Sequence, residues 1–149
     1  QLQLIFDIGV CPNSAFSKKT VFLTHNHIDH MAGTLRHCAT RELMRMGPPT
    51  YYMDHHYIDA FSDLLNSARR LNHAQMPCEI VGIGPNEQIV LDKQFSIHTF
   101  RSIHRVPCIG YTVIEKRQKL KSMYKGFSGQ QLAELRKADV TGQKDAYKD

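Results

Sequence analysis

Long apolar runs are missing from this sequence of 149 residues. Nothing approaches the roughly 20 continuous apolar residues of a membrane span, and no secretory hydrophobic segment opens the chain, so a soluble protein with no membrane partner is expected. Cysteine is sparse. Cys11, Cys38, Cys78 and Cys108 contain no C-x-x-C pair, which argues against a thiolate zinc site and a dense disulfide framework and predicts reduced, mostly buried thiols. An intracellular compartment follows, without a choice among cytoplasm, nucleus and organelle. The chain opens on Gln1 rather than Met, which leaves a targeting segment open. Internal repeats are absent as well.

What is present suits one globular domain or a substantial piece of one: 42% of residues are hydrophobic. A net charge of +5 and a pI near 9.1 are compatible with a polyanionic partner, a property shared with many ordinary proteins.

Apolar runs of strand length occupy 2–8 and 20–24, separated by a Gly/Cys/Pro/Asn/Ser loop. From Met31 to Met46, the residues Met31, Leu35, Cys38, Ala39, Leu43 and Met46 recur near one face at helical spacing, and Gly47-Pro48-Pro49 stops the pattern. A short strand at 51–53 is followed by Asp54, a candidate N-cap. Beyond it Ile58, Phe61, Leu64, Leu65, Ala68 and Leu71 form an apolar stripe that predicts a second helix. Candidate strands then lie at 79–81, 88–91, 95–100 and 111–114, broken by Gly, Pro and Asn. The order indicates a mixed α/β layer arrangement. Near the end, Ser128 and Gln131 have capping-box spacing at the start of a short helix, and the polar stretch 141–149 reads as a frayed tail.

The chemistry is concentrated in Thr24-His25-Asn26-His27-Ile28-Asp29-His30. His25 and His27 directly follow the buried run Val21-Phe22-Leu23, and residues two apart in extended backbone point the same way, so both imidazoles reach one metal while Asn26 points elsewhere. Asp29 and His30, in the turn into the next helix, project differently and suit a second ion. Imidazole and carboxylate are ligands that zinc, manganese and iron(II) accept. The competing explanation is a His-rich surface loop in a chain with nine histidines. Fixed offsets between a strand and a helix weigh against it. His104 also stands at a strand end. His37, His55, His56, His73 and His98 have no ligand-like spacing to the motif, so surface or helix-face roles are their default. His55 and His56, as helical neighbours, would diverge by about 100°.

The run resembles the H-x-H-x-D-H metal signature of the metallo-β-lactamase superfamily, and Phe6-Asp7-Ile8-Gly9 resembles its first, Asp-containing motif. Within that superfamily the chain is similar to ribonuclease Z. His104 precedes a matching Pro107-x-x-Gly110-Tyr111, and the segments 39–50 and 119–129 resemble the compact forms of plants and some microbes. The fold this implies is an αββα sandwich of two similar halves, with 1–149 as a partial α/β domain corresponding to the first.

The reaction it implies is endonucleolytic removal of the 3′ trailer from precursor tRNA by metal-activated water. Zinc is the implied cofactor, with two ions in a complete enzyme. His25, His27 and His104 would form a three-His site; Asp29 and His30 would hold the second ion, with Asp29 also a catalytic residue that orients or deprotonates the water. The basic stretch 116–127, with Lys116, Arg117, Lys119, Lys121 and Lys125, is a candidate for RNA phosphate contacts and, at even weight, an ordinary solvated loop.

Two parts of the implied set cannot be assigned: a bridging aspartate, usually in a Gly-Asp-Thr turn, and a late histidine. No histidine follows His104, and Asp139, Asp145 and Asp149 lie in polar sequence. Three readings follow. The chain is part of a longer enzyme; or it is a shortened, non-catalytic structural or RNA-binding subunit of a larger assembly, such as an organellar ribonucleoprotein; or it is a superfamily hydrolase of a small ester or thioester. A half-sandwich would expose its inner faces, so the rest of the fold, a partner chain or a second copy in a homodimer is expected to cover it.

Overall fold

A computed structural model of the chain describes residues 2–117, 119–120, 122–139 and 147–148. Four strands, β1 (Leu4–Phe6), β2 (Thr20–Phe22), β3 (Thr50–Asp54) and β4 (Glu79–Ile83), form a parallel sheet in sequence order. Its register pairs Val21 with Tyr51 and Tyr51 with Ile80. Parallel neighbours need crossovers. Two helices, α1 (Ile28–Met31) and α2 (Gly33–Leu43), connect β2 to β3, and α3 (Ile58–Asn72) connects β3 to β4. A second sheet has the order β5 (Gln88–Val90), β6 (Phe95–Arg101), β7 (Ile109–Glu115).

Strand alternation divides the parallel sheet into two faces. Val21, Leu23, Tyr51 and Met53 pack with Met31, Cys38, Phe61, Leu65 and Met76 in one core cluster. On the opposite face Phe22 stacks on Tyr52 with ring centroids 4.6 Å apart, and Phe6 and Tyr111 lie against Phe22. Phe6 remains 42% exposed.

α3 buries Phe61 and Leu65 of the expected stripe, while Leu71 lies 85% exposed. α2 departs further from its apolar pattern. The expected single helix over 31–46 is divided, because Gly33 donates to the Ile8 carbonyl (2.8 Å) and a Cβ there would lie 2.3 Å from that oxygen. The buried face of α2 is Gly33, Thr34, His37, Cys38 and Arg41, and Leu43 is 84% exposed. His37, expected at the surface or on a helix face, lies on the buried face of α2 and is 0% exposed. Its Nε2 donates to the carbonyls of Lys18 (3.0 Å) and Ala15 (3.2 Å), and its Nδ1 faces the Tyr51 hydroxyl at 2.9 Å. Burial lowers its pKa below the ordinary imidazole value. The Arg41 guanidinium donates to the Phe16 (2.6 Å) and Gly47 (2.7 Å) carbonyls. Backbone carbonyls of two loops thus make this polar face burial-compatible.

The chain divides into two compact units, Gln1–Ile89 with Ile97–Thr112, and Val90–Ser96 with Val113–Asp149. In the second unit the capping box forms: Ser128 N donates to Gln131 Oε1 (2.8 Å) and Gln131 N to Ser128 Oγ (3.3 Å), at the start of α4 (Gly129–Asp139). The strand β8 (Lys119–Leu120) pairs antiparallel with β9 (Tyr147–Lys148). The expected frayed tail is therefore paired at 147–148, and 141–146 and 149 lie outside the described residues. All four cysteines are free thiols, three of them buried. No helix among the described residues is long and apolar enough to cross a membrane.

Candidate metal centre

The extended run that ends β2 carries the first two histidines. Leu23 N still donates to Tyr52 O (2.8 Å), after which the chain leaves the sheet and enters α1 at His27, whose extended backbone (ψ 148°) caps that helix. His25 is 5% exposed. His104 arrives from the loop between β6 and β7, and three contacts fix that loop. Ile109 N donates to Thr24 O (2.8 Å), the Tyr111 hydroxyl to Leu23 O (2.6 Å), and the Tyr57 hydroxyl to Pro107 O (2.8 Å). Gly110 lies under the Phe100 ring, where a Cβ would come within 2.2 Å. The Pro-x-x-Gly-Tyr spacing thus has a structural function: it ties the His104 loop to the end of β2.

These elements bring His25, His27 and His104 together, with one ligand nitrogen from each within 4.8 Å of the others. His25 lies 4.6 Å from His27, 4.7 Å from His104 and 4.0 Å from His30 between ring centroids. Asn26 points away, its amide nitrogen 3.6 Å from Met53 Sδ.

Asp7 braces the cluster from below. Its φ of 54° is a conformation that aspartate tolerates better than most residues. Asp7 Oδ1 accepts from Thr24 N (2.8 Å), and Oδ2 accepts from Thr24 Oγ1 (2.9 Å) and from His30 Nδ1 (2.9 Å). Gly9 lets the loop close on α1, because a Cβ there would lie 1.6 Å from the Asp29 carbonyl oxygen.

The brace also sets tautomers. The single hydroxyl proton of Thr24 goes to the Asp7 carboxylate, so the 2.9 Å contact with His25 Nδ1 requires that nitrogen to donate. His25 Nε2 is left with its lone pair, directed toward His27 Nδ1 at 3.0 Å. His30 donates through Nδ1 to Asp7, and its Nε2 lies 3.6 Å from Asp29 Oδ2. Burial first, then the neighbouring His30, His27 and His104, hold the pKa of His25 below the ordinary imidazole value. Neutral imidazole is the ligating form.

This donor set fits a zinc-class ion. Two imidazole nitrogens on one tetrahedral zinc at about 2.0–2.1 Å lie roughly 3.3 Å apart, close to the His25–His27 separation. Three histidines leave the fourth position open. Asp29, with its side chain 80% exposed, and His30 stand beside this set. No further carboxylate or histidine joins it among the described residues.

The remaining expected residues are distributed differently. Arg117 is ion-paired to Glu115 at 2.6 Å; Lys116 and Lys125 are exposed; Lys121 and the side chain of Lys119 lie outside what is described. One cluster was missed by sequence reasoning. His55 and His56, in a 3-10 turn ahead of α3, have ring centroids 4.3 Å apart because the Nδ1 atoms of both face the buried Asp54 carboxylate. The acceptor for that turn was legible as the Asp54 cap; the non-α geometry was not.

No protein-family model matches the chain. Among curated proteins it is 32% identical to a tRNase Z of Arabidopsis thaliana over 93% of its length, which is 50% of that protein. To a nuclear ribonuclease Z of Triticum aestivum it is 30% identical over 93% of its length, covering 79% of that protein. The chain belongs to the ribonuclease Z family. Among solved structures, the short form of human tRNase Z is similar with a TM-score of 0.57 and 20% identity, over 75% of this chain and 54% of that one. A metallo-β-lactamase fold protein of Bacillus subtilis has a TM-score of 0.54 and 19% identity over 74% of this chain. The mixed α/β fold is thus a metallo-β-lactamase fold, as the motif resemblance implied, and the chain spans about half the length of the Arabidopsis relative.

Proposed function

We propose that this chain carries the nucleophile-generating part of a zinc-dependent endoribonuclease that removes the 3′ trailer from precursor tRNA. The convergence of His25, His27 and His104 above the Asp7 brace carries this reading. Bound there, zinc would supply Lewis-acid activation of water near neutral pH. The residues contribute the rest. His25 presents Nε2 in a fixed tautomer, the Pro107–Tyr111 segment holds His104 in place, and Asp29 lies beside His30, exposed enough to accept a proton from water or to help hold a second ion. Arg101 at the end of β6 and Arg105 beside His104, both exposed, provide cations for RNA phosphates. Among superfamily chemistries, family membership favours a phosphodiester over a small ester or thioester.

A second reading, a non-catalytic structural or RNA-binding subunit, is favoured by one observation: no bridging carboxylate joins the three histidines among the described residues. In either case the exposed aromatic face at Phe6 is suited to cover by the other half of a sandwich, on the same polypeptide, a partner or a second copy.

Two measurements on the 149-residue chain test this. Metal analysis is expected to find zinc that is lost in His25→Ala; metal-free protein would sink the three-His site. Cleavage of precursor tRNA by this chain alone is expected to be weak or absent, and to appear when the remaining half is supplied. Vigorous zinc-dependent cleavage that His25→Ala abolishes would show instead that the residues present here suffice, and failure to cleave even with the other half would favour the subunit reading.

A further inference from the structure

Asp54, at the C-terminal end of β3, is 0% exposed, a position that a carboxylate takes only with partners, and no Lys or Arg among the described residues supplies one in the contacts of its side chain. Its Oδ1 accepts from His56 N (3.0 Å) and faces His56 Nδ1 at 2.6 Å and His55 Nδ1 at 3.7 Å. Its Oδ2 is buried with no hydrogen-bond partner. A buried carboxylate oxygen left without a donor costs free energy unless a cation or proton satisfies the group.

The imidazoles beside it are each more than half exposed, so solvent reaches them. Their rings lie side by side, inclined by 30°. The floor beneath is tight. His55 Nδ1 lies 3.3 Å from Ile83 O, and a Cβ on Gly82 would come within 3.2 Å of His55 Cβ, so the ring has little freedom to swing back. One ligand atom from each of Asp54, His55 and His56 falls within 4.8 Å of the others.

We infer that Asp54, His55 and His56 form a second, independent site for a zinc-class divalent cation. The two imidazoles and one carboxylate are the hard-to-borderline donor set that zinc, nickel and copper accept. On binding, the Nδ1 protons of His55 and His56, which face the Ile83 carbonyl and the Asp54 carboxylate, move to Nε2 of the same rings, freeing both Nδ1 lone pairs, and the cation replaces the His56 proton as the partner of Asp54. Solvent fills the open positions. Because the site is at the turn that also presents Tyr57 to the Pro107 carbonyl, an ion there would stiffen the anchor of the His104 loop.

The test removes the first site and asks what remains. In the full chain, the triple variant His25→Ala/His27→Ala/His104→Ala is titrated with zinc chloride by calorimetry, with circular dichroism to establish that it is folded. It is expected to retain about one equivalent of zinc, and adding His55→Gln and His56→Gln, both exposed positions, is expected to weaken that binding at least about tenfold. Absence of zinc binding in the folded triple variant, or binding that the two glutamines leave unchanged, overturns the inference. Should the triple variant not fold, the same two glutamines in the parent chain are expected to lower zinc stoichiometry by one; an unchanged stoichiometry overturns the inference equally. Neither outcome depends on RNA cleavage.

Discussion

Two polar networks, one running from Asp7 to His30 and one on the buried face of α2, have opposite outlets. Under the candidate metal centre, Asp7, Thr24, His25 and His30 form a chain of hydrogen bonds that ends at ring nitrogens, His25 Nε2 facing His27 Nδ1 and His30 Nε2 facing Asp29. Under α2, His37, Tyr51 and Arg41 form one that ends in backbone carbonyls of 15–18 and 47. The first network ends at imidazole nitrogens that face one another. The second is complete, and contributes to the fold alone. Polar burial by itself therefore does not mark a functional site; the direction in which the last lone pair points does.

The contrast can be broken most forcefully at Arg41. Arg41→Met strands the Phe16 and Gly47 carbonyls in a buried place and is expected to cost about 3 kcal/mol or more in chemical denaturation. Zinc affinity of the folded fraction should change little. A variant that loses zinc before it loses stability would show that the α2 network belongs to the site after all.

At Asp7 the opposite pattern is expected. Asp7→Asn keeps the shape but weakens the acceptor for Thr24 and His30, and zinc affinity should fall about 10–100-fold by calorimetry, the range for residues that orient metal ligands. Unfolding should shift much less than in Arg41→Met. Unaltered affinity would mean that His25 and His30 are oriented by packing rather than by the brace.

The smallest effect is one of pH. The folded state keeps His37 neutral, with its pKa below the ordinary value, whereas the imidazole of the unfolded chain titrates near 6.5. The unfolded state therefore binds the extra proton. The contribution of His37 to stability is whole above pH of about 6.5 and is lost as pH falls from there through the depressed folded value. Melting temperatures between pH 7.5 and 5 should decline, and His37→Gln should flatten part of that decline; an identical slope in the variant would assign the acid sensitivity elsewhere, with His25 the next group of the same sign.

What could be read from the sequence follows the strength of its periodicities. The α3 stripe, the strand alternation and the Ser128–Gln131 box are local patterns, and each corresponds to an element in the structure. α2 was read correctly at Cys38, Leu35 and Ala39, which are buried in or packed against the core, and misread at Leu43, which is exposed, and at Thr34, His37 and Arg41, which are buried although polar. Its acceptors, at 15–18 and 47, are distant in sequence or beyond the helix, so no window centred on the helix contains them. That His37 takes the buried helix face rather than the surface, the two roles left open for it, was hidden for the same reason. His55 and His56 were set apart by an α-helical angle, yet Asp54 caps a tighter turn and draws both rings to one side.

By itself, then, the sequence determined the candidate metal-binding motif. Its H-x-H-x-D-H run at a strand end fixes residue types and directions through the two-residue period of extended backbone. Only the tertiary structure decided which partners complete them. It carries His104 across almost 80 positions of chain to His25 by way of the Ile109 and Tyr111 hydrogen bonds, and it places a carboxylate with a lone pair to spare beneath two histidines. Such convergence depends on long-range packing, which local periodicity does not encode.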